Sequence, residues 1–315
     1  MKKIRRLAIG VFCLLAGQAA FAQTTAAPLD SPALMVDLRT LSSPEFAGRL
    51  TGTPGSQLAQ AYITRRFKEI GLQPFGQSYA MPFTFTDTRR NVTTTYASAL
   101  NLVGQIRGSA HPERVMVVSA HYDHLGVQKG QAYLGADDNA SGVAAMLAVA
   151  AHFKQHPPRN TIVFAAFDSE ELGLRGANAF VNAPPVPLKN VTLNLNFDMV
   201  SRNDKNEIYV AGTRYTPSLK ALVAKAATGS TLKVIMGHDS RPQGEPADYD
   251  WTGSSDHGAF HKAGIPFLYF GVEDHADYHK PGDTFEKVDP KFYAEVVRML
   301  VDTAAILDQN LDKLK

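Results

Sequence analysis

Three apolar runs that each end on acids constrain this chain more than any other feature. Residues 114–119 (RVMVVS) are dense in valine and lead to His121, Asp123 and, after a short excursion, Asp138. Residues 160–167 (NTIVFAAF) end in Asp168, Ser169, Glu170 and Glu171, and residues 191–197 (VTLNLNF) end in Asp198. Short apolar runs of this kind, rich in β-branched and aromatic residues, read as buried strands. Residues 143–153 (VAAMLAVAAHF), rich in alanine and leucine, have the length of a helix. A strand that opens through a polar cluster into a helix puts that cluster at the strand's carboxyl end, where open α/β sheets bind ligands.

The same alternation runs to the end of the chain. Strands are expected at 100–106, 114–120, 160–167, 191–198, 207–211, 231–236 and 265–271, and helices at 141–155, 173–182, 216–227, 257–263 and 290–308. Such a pattern predicts an α/β fold of three layers: a mostly parallel, mixed, twisted sheet with helices on both faces. Ahead of it, 34–41 has helical spacing and 48–55 is a Gly, Thr and Pro loop, read as a turn into a helix. Residues 56–70 are an amphipathic helix with Ser56 as N-cap and Gly71 as its stop. The Thr-, Phe- and Tyr-rich stretch 79–96 reads as a β-ribbon. Residues 34–315 are thus expected to form one domain.

The first residues read as an address. MKKIRR is a basic n-region, LAIGVFCLLAG an apolar h-region, and Ala20-Phe21-Ala22 a small-x-small cleavage site. Residues 1–22 are expected to be a secretory signal peptide cut after Ala22, with 23–33 a flexible leader and the mature protein periplasmic or extracellular. The apolar run falls short of the ~20 residues a span needs, so no stable membrane anchor is expected. Cys13 is the only cysteine and lies in the segment to be removed, which excludes a thiol nucleophile, a thiolate metal site and a disulfide framework from the mature chain. A formal net charge of +2 gives no reason to expect nucleic acid as a partner.

The strand-end clusters offer histidine nitrogens and carboxylate oxygens, the donors that hold zinc in the absence of thiolates. Late in the chain, YHKPGDT adds His279. In order, HYD, GADDNASG, EELGLRG, FDM and HKPGDT, together with SPEFAGRLTGTPG near the start, resemble the M28 family of zinc aminopeptidases over roughly residues 40–290. The resemblance implies one doubly wound, zinc-exopeptidase-like domain. The interval between Tyr79 and Asn101 is too short for the protease-associated domain that some relatives insert there.

It also implies a ligand set for two Zn2+ ions, with other divalent metals able to substitute. Asp138 would bridge both ions, His121 and Asp198 would complete one, Glu171 and His279 the other. Glu170 would be the general base acting on a metal-bridging water, which calls for a moderately raised pKa. Asp123 would accept the free imidazole N–H of His121. Adjacent Glu170 and Glu171 would take different tasks because successive strand side chains diverge. Asp137 is expected to bind backbone in its turn, and Asp283 to have a turn or loop-supporting role.

His111, His152, His156 and His261 read as surface residues. His257, in a recurring Ser-Asp-His segment, is expected to pack or hydrogen-bond near the site. His124, His238 and His275 receive no assignment. Two departures stand out. Thr252 occupies a position where some relatives carry an oxyanion-stabilising tyrosine, with Tyr249 and Trp251 nearby. Asn139 replaces a third aspartate common among relatives, leaving the cluster less negative.

The activity implied is removal of N-terminal residues from peptides with free N-termini. A metallocarboxypeptidase, a dipeptidase or a glutaminyl cyclase is an alternative on the same fold. A non-catalytic peptide-binding protein is a remoter one, since none of the six principal positions is lost. Loops 236–253 and 270–278 are expected to line the substrate pocket, and EPADYDW (245–251) either offers a carboxylate to a substrate amine or is a solvated loop.

Overall fold

The computed structural model describes residues 31–89 and 91–314, so the expected signal peptide and most of the expected leader lie outside the described residues. The described residues open with α1 (Ser31–Leu41), which takes in the last three residues assigned to the leader. Pro32 is compatible with that start, because the first turn of a helix leaves its N–H groups unpaired anyway. Helix α2 (Pro54–Ile70) begins two residues before the expected position. Its N-cap is Thr53, whose hydroxyl accepts the N–H of Ser56, and Gly71 ends it in the left-handed region at φ 83°.

Strand β1 (Gln73–Pro74) is followed by β2 (Ala80–Arg89) and β3 (Val92–Ile106). The ribbon and the strand expected at 100–106 are therefore one hairpin whose second arm runs unbroken into the sheet. Next come β4 (His111–His121), a small hairpin of β5 (Gly126–Gln128) and β6 (Gln131–Tyr133), α3 (Gly142–Gln155), β7 (Asn160–Phe167) and α4 (Arg175–Asn182). The second half holds β8 (Val191–Phe197), β9 (Glu207–Ala211), α5 (Leu219–Ala226), β10 (Lys233–Met236), α6 (His257–Lys262), β11 (Phe267–Gly271) and α7 (Pro290–Asp308).

The main sheet has nine strands in the order β1-β3-β7-β4-β8-β11-β9-β10, with β2 also paired to β3. Strands β7, β4, β8 and β11 are parallel neighbours, whereas β3 and β9 join antiparallel, which makes the sheet mixed. Period-two alternation divides the core. Met116, Val118, Ile162, Phe164, Leu193 and Leu195 pack on the face covered by α1, α2, α3, α5 and α7. Val115, Val117, Val163, Ala165 and Phe167 pack on the other face, against Ala177 and Phe180 of α4 and Phe260 of α6. All eight residues of β7 are buried, as the continuous apolar run requires. Among the described residues, no helix is long and apolar enough to cross a membrane.

Parallel neighbours finish at one edge. His121 is the last residue of β4 and pairs with Phe167, the last of β7, while Asp198 follows the last residue of β8. This edge carries the polar cluster.

Candidate metal centre

Asp138 sits at the middle of the cluster, on the helical turn between β6 and α3. Its two oxygens face different partners. Oδ1 lies 3.5 Å from His121 Nε2, which is itself 3.3 Å from Asp198 Oδ1. Oδ2 lies 3.1 Å from His279 Nε2, which is 3.2 Å from Glu171 Oε2. Donors around a tetrahedral zinc with bonds of ~2.0–2.1 Å stand about 3.3 Å apart, so both groups have the spacing of a ligand shell. The five residues assigned from the resemblance are brought together, in the two expected sets, with one carboxylate shared.

The cluster's charge also fits divalent cations. Asp138, Glu170, Glu171 and Asp198 converge while, among the described residues, their ion pairs are made only to histidines. Burial, reinforced by Glu171, pushes the Asp138 carboxyl up. Burial would also raise Glu171, but hydrogen bonds from His124 and His279 outweigh it and hold that group well below the usual carboxylate range. His279 goes up to about 10 despite burial, because Asp138 and Glu171 accept its hydrogen bonds. Carboxylates gathered this closely need positive charge, and a dication supplies it.

Glu170 stands apart from this pairing. Its Oε2 lies 4.0 Å from His121 Nε2, and 12% of its side chain is accessible. Burial raises its pKa well above the ordinary glutamate value, against the pull of His121 and with the push of Glu171, Asp198 and Asp256. A raised, unpaired carboxyl beside two ligand sets is placed to accept a proton.

Glu170 and Glu171 diverge for a reason other than the strand alternation expected. Strand β7 stops at Phe167, and Ser169 takes φ 61°, turning the backbone before either glutamate. The Asp123 carboxylate holds this turn: its Oδ1 accepts the N–H of Glu170 at 3.0 Å and its Oδ2 that of Glu171 at 3.3 Å. The expected contact of Asp123 with His121 is present, and the carboxylate takes on a second task. His121 Nδ1 faces the Asp123 backbone oxygen at 3.1 Å, closer than the carboxylate at 3.7 Å. The residue orients the imidazole through its main chain and the two glutamates through its side chain. Positive φ at Ser169, Met199 and His279 places strained backbone beside three of the principal residues, a common mark of functional sites.

The turn bearing Asp138 is held from outside. Asp283 accepts the N–H groups of Asp137 and Asp138 at 3.0 Å each, which gives HKPGDT a grip on the bridging residue as well as carrying His279. Asp137 binds the N–H and hydroxyl of Ser201 at 2.7 and 2.8 Å, on the loop after β8, and pairs with His275 at 3.2 Å. Asn139 does more than lower the charge: its amide donates to Phe197 O while its oxygen accepts from Gly142 and Met199, a combination a carboxylate cannot make.

Two contributors carried no assigned role from the sequence, although Arg49 lies in the SPEFAGRLTGTPG segment. Arg49 is fully buried and donates to the carbonyls of Tyr122, Leu41, Leu134 and Gly135 at 2.6–2.9 Å, clamping both ends of the excursion between His121 and Asp138. Burial lowers its pKa to about 10, against the opposing pull of nearby acids led by Asp138. Arg49→Lys is expected to lower unfolding stability by at least about 2 kcal/mol, because a lysine cannot reproduce the fork and buried carbonyls are left unpaired. Denaturant unfolding checks this; an unchanged midpoint would contradict the clamp. The second is His124, buried, with Nδ1 2.8 Å from Glu171 Oε1.

An aromatic wall adjoins the site. His238 stacks on Trp251 at 3.8 Å, Trp251 meets Tyr269 edge-on at 5.7 Å, and the Tyr269 hydroxyl donates to Asp198 O at 3.4 Å. Thr252 is tied to Asp250 and Tyr215, and Trp251 is committed to this wall. His257 packs near the site as expected, bonding Trp251 O at 2.7 Å, and burial takes its pKa down to about 4. Burial and then Asp138 and Asp198 raise Tyr278, which stacks on His279 at 4.0 Å and stays a phenol at neutral pH. An open cleft of ≈ 540 Å³ is lined by Asp239, Arg241 and Asp250 of the first expected pocket loop together with Arg214 and Tyr215.

Buried imidazole and carboxylate donors at the carboxyl edge of a mixed α/β sheet, with a free glutamate beside them, define a metallopeptidase-type site. The chain belongs to peptidase family M28, whose description it matches over residues 101–304. Among similar proteins, aminopeptidase YwaD of Bacillus subtilis is 33% identical over 181 residues, 56% of this chain and 36% of that one. The alkaline phosphatase isozyme conversion protein of Escherichia coli is 28% identical over 241 residues, 71% of this chain and 67% of that one. The chain therefore spans about a third of the first relative's length. A zinc aminopeptidase structure from Bacillus subtilis superposes with a TM-score of 0.72 at 17% identity, covering 91% of this chain and 96% of that one. The glutaminyl cyclase of Porphyromonas gingivalis does so at 0.70 and 17%, covering 88% and 99%. These likenesses show a shared mixed α/β fold.

Proposed function

We propose that this protein is an exported aminopeptidase that holds two zinc ions and hydrolyses the first peptide bond of substrates with free N-termini. One observation carries the reading: the two oxygens of Asp138 face two separate donor sets while Glu170, beside them, carries no ion pair closer than 4.0 Å among the described residues. His121 and Asp198 would hold one ion with Asp138, and Glu171 and His279 the other. Zinc, when bound, supplies Lewis acidity toward the scissile carbonyl and lowers the pKa of water.

The chain's own residues do the rest. Glu170 takes a proton from the attacking water as its oxygen adds to the carbonyl carbon, and returns that proton to the departing amine nitrogen as the C–N bond breaks. Asp123 keeps Glu170 and Glu171 at their separate stations, and Asp283 with Arg49 fixes Asp138. The aromatic wall from His238 to Tyr269 bounds the space next to Asp198 and excludes water from one side. Export rests on residues 1–22, and N-terminal sequencing of the mature protein should find Gln23 first.

The experiment is a panel of aminoacyl-nitroanilides run beside N-blocked peptides on zinc-replete protein, with metal content measured. Release from free amino termini only, with two zinc ions per chain, supports the reading. Cleavage at carboxyl ends, or cyclisation of N-terminal glutamine with a single ion bound, overturns it in favour of another activity of the fold.

A further inference from the structure

We infer that His124 is a third imidazole of the metal centre, binding through Nδ1 the same ion as Glu171, His279 and Asp138 Oδ2. The inference rests on the zinc reading above and extends the ligand set beyond the five residues assigned from resemblance.

Four observations carry it. First, His124 Nδ1 lies 2.8 Å from Glu171 Oε1 and 3.6 Å from Asp138 Oδ2, and a ligand atom from each of the three residues falls within 4.8 Å of the others. These separations bracket the ~3.3 Å edge of a zinc tetrahedron, and the 3.1 and 3.2 Å separations of His279 Nε2 from the same two carboxylates fall just short of it. Second, the ring is completely buried and meets His279 edge-on at 5.8 Å between centroids, so both imidazoles converge on one carboxylate pair. Third, the backbone is shaped around it: a Cβ at Gly135, which sits at φ 57°, would lie 2.6 Å from both Cγ and Cδ2 of His124. Fourth, Nε2 is buried with no hydrogen-bond partner. Among the described residues the ring's polar contacts are therefore made through Nδ1 alone, the atom that faces the two carboxylates.

The two ions would then be held unequally. The Glu171 side has four protein donors, His124, Asp138, Glu171 and His279. The His121 side has three, His121, Asp138 and Asp198, and keeps more room for water and substrate. The Glu171 site should fill first and empty last.

The competing role is simpler: His124 only donates a hydrogen bond that positions Glu171. Glutamine at 124 keeps a donor of similar reach but is a poor zinc ligand, so His124→Gln separates the two, with His124→Phe as a volume-preserving control. Zinc affinity is measured by competition with a chromophoric chelator, and imidazole 15N NMR is recorded on the zinc-loaded wild-type protein. A drop of at least about 100-fold in the affinity of the tighter ion in both variants, larger than loss of an orienting contact gives, supports the inference, as does a His124 Nδ1 resonance at a metal-bound position. Tight binding retained in His124→Gln, or a His124 spectrum unchanged by zinc, overturns it. The wild-type spectrum decides even if a variant fails to fold. A wild-type protein that takes up no zinc overturns this inference and the functional reading together, while two tight ions with an indifferent His124 overturn this one alone.

Discussion

Glu170→Gln is expected to lower kcat by about 10²–10⁴-fold while both zinc ions stay bound, the range associated with losing a general acid–base group. Glutamine has nearly the shape of glutamate but cannot accept the proton. Because Glu170 pairs with nothing closer than His121 at 4.0 Å, its replacement leaves the ligand sets standing. The acid limb of the wild-type pH profile has a defined sign. Burial raises the Glu170 pKa, so the fraction of base falls as pH drops through that raised value, and kcat/KM should begin to fall at a higher pH than an exposed glutamate would give. Bound dications act in the opposite direction, so zinc-loaded protein should show a less elevated limb than the metal-free titration of Glu170. Steady-state kinetics with zinc analysis on the same samples checks both; a variant that loses activity together with its metal would make Glu170 a ligand instead.

Asp138→Asn should be the more damaging change to the centre itself. The carboxylate offers one oxygen to each donor set, and the amide replaces one of those oxygens with an NH2 that cannot bind a cation. Loss of a shared ligand should weaken both ions by more than the 10–100-fold typical of an orienting contact. Zinc stoichiometry at micromolar metal should fall from two to one or none, and the apparent melting temperature should fall with it, because ions that bind only the native state stabilise it by mass action. Retention of two tight ions would show that Asp138 does not bridge. By contrast, Asp198→Asn removes a ligand from one set only and should leave the Glu171-side ion in place.

These expectations rest on placements of unequal legibility. Strand β7 was readable to the residue, since eight apolar positions in a row bury on both faces only in the middle of a sheet. Helix α7 was equally plain, with Asp289 capping and Pro290 starting it. Boundaries slipped where capping chemistry decided them, as at Thr53, or where a ribbon strand ran on into the sheet, as in β3. That the five residues assigned as ligands and Glu170 would gather in one place was legible because each ends or follows a strand or lies in a marked loop motif, so chain order carries nearly all the information.

The supporting residues were not legible in the same way. Arg49 reaches Leu134 across 85 positions and Tyr122 across 73, and no local pattern announces a guanidinium that will serve four carbonyls. His124 is three residues from His121 yet faces the opposite donor set, because the chain leaves β4 and turns before reaching it. Asp123 illustrates the limit most clearly. Its side chain and its main chain serve different partners, a division set by the direction of a turn rather than by the residue's identity.

Most strands and the order of their chemistry-bearing ends can be read from the chain because burial on two faces is written in residue pattern, and the family from its ordered motifs. Which oxygen faces which imidazole, which arginine holds the loop and where His124 lies beside Glu171 follow from the folded chain alone. Those outcomes depend on distances of about 3 Å between segments tens of residues apart, and such distances are set by the packing of the whole sheet.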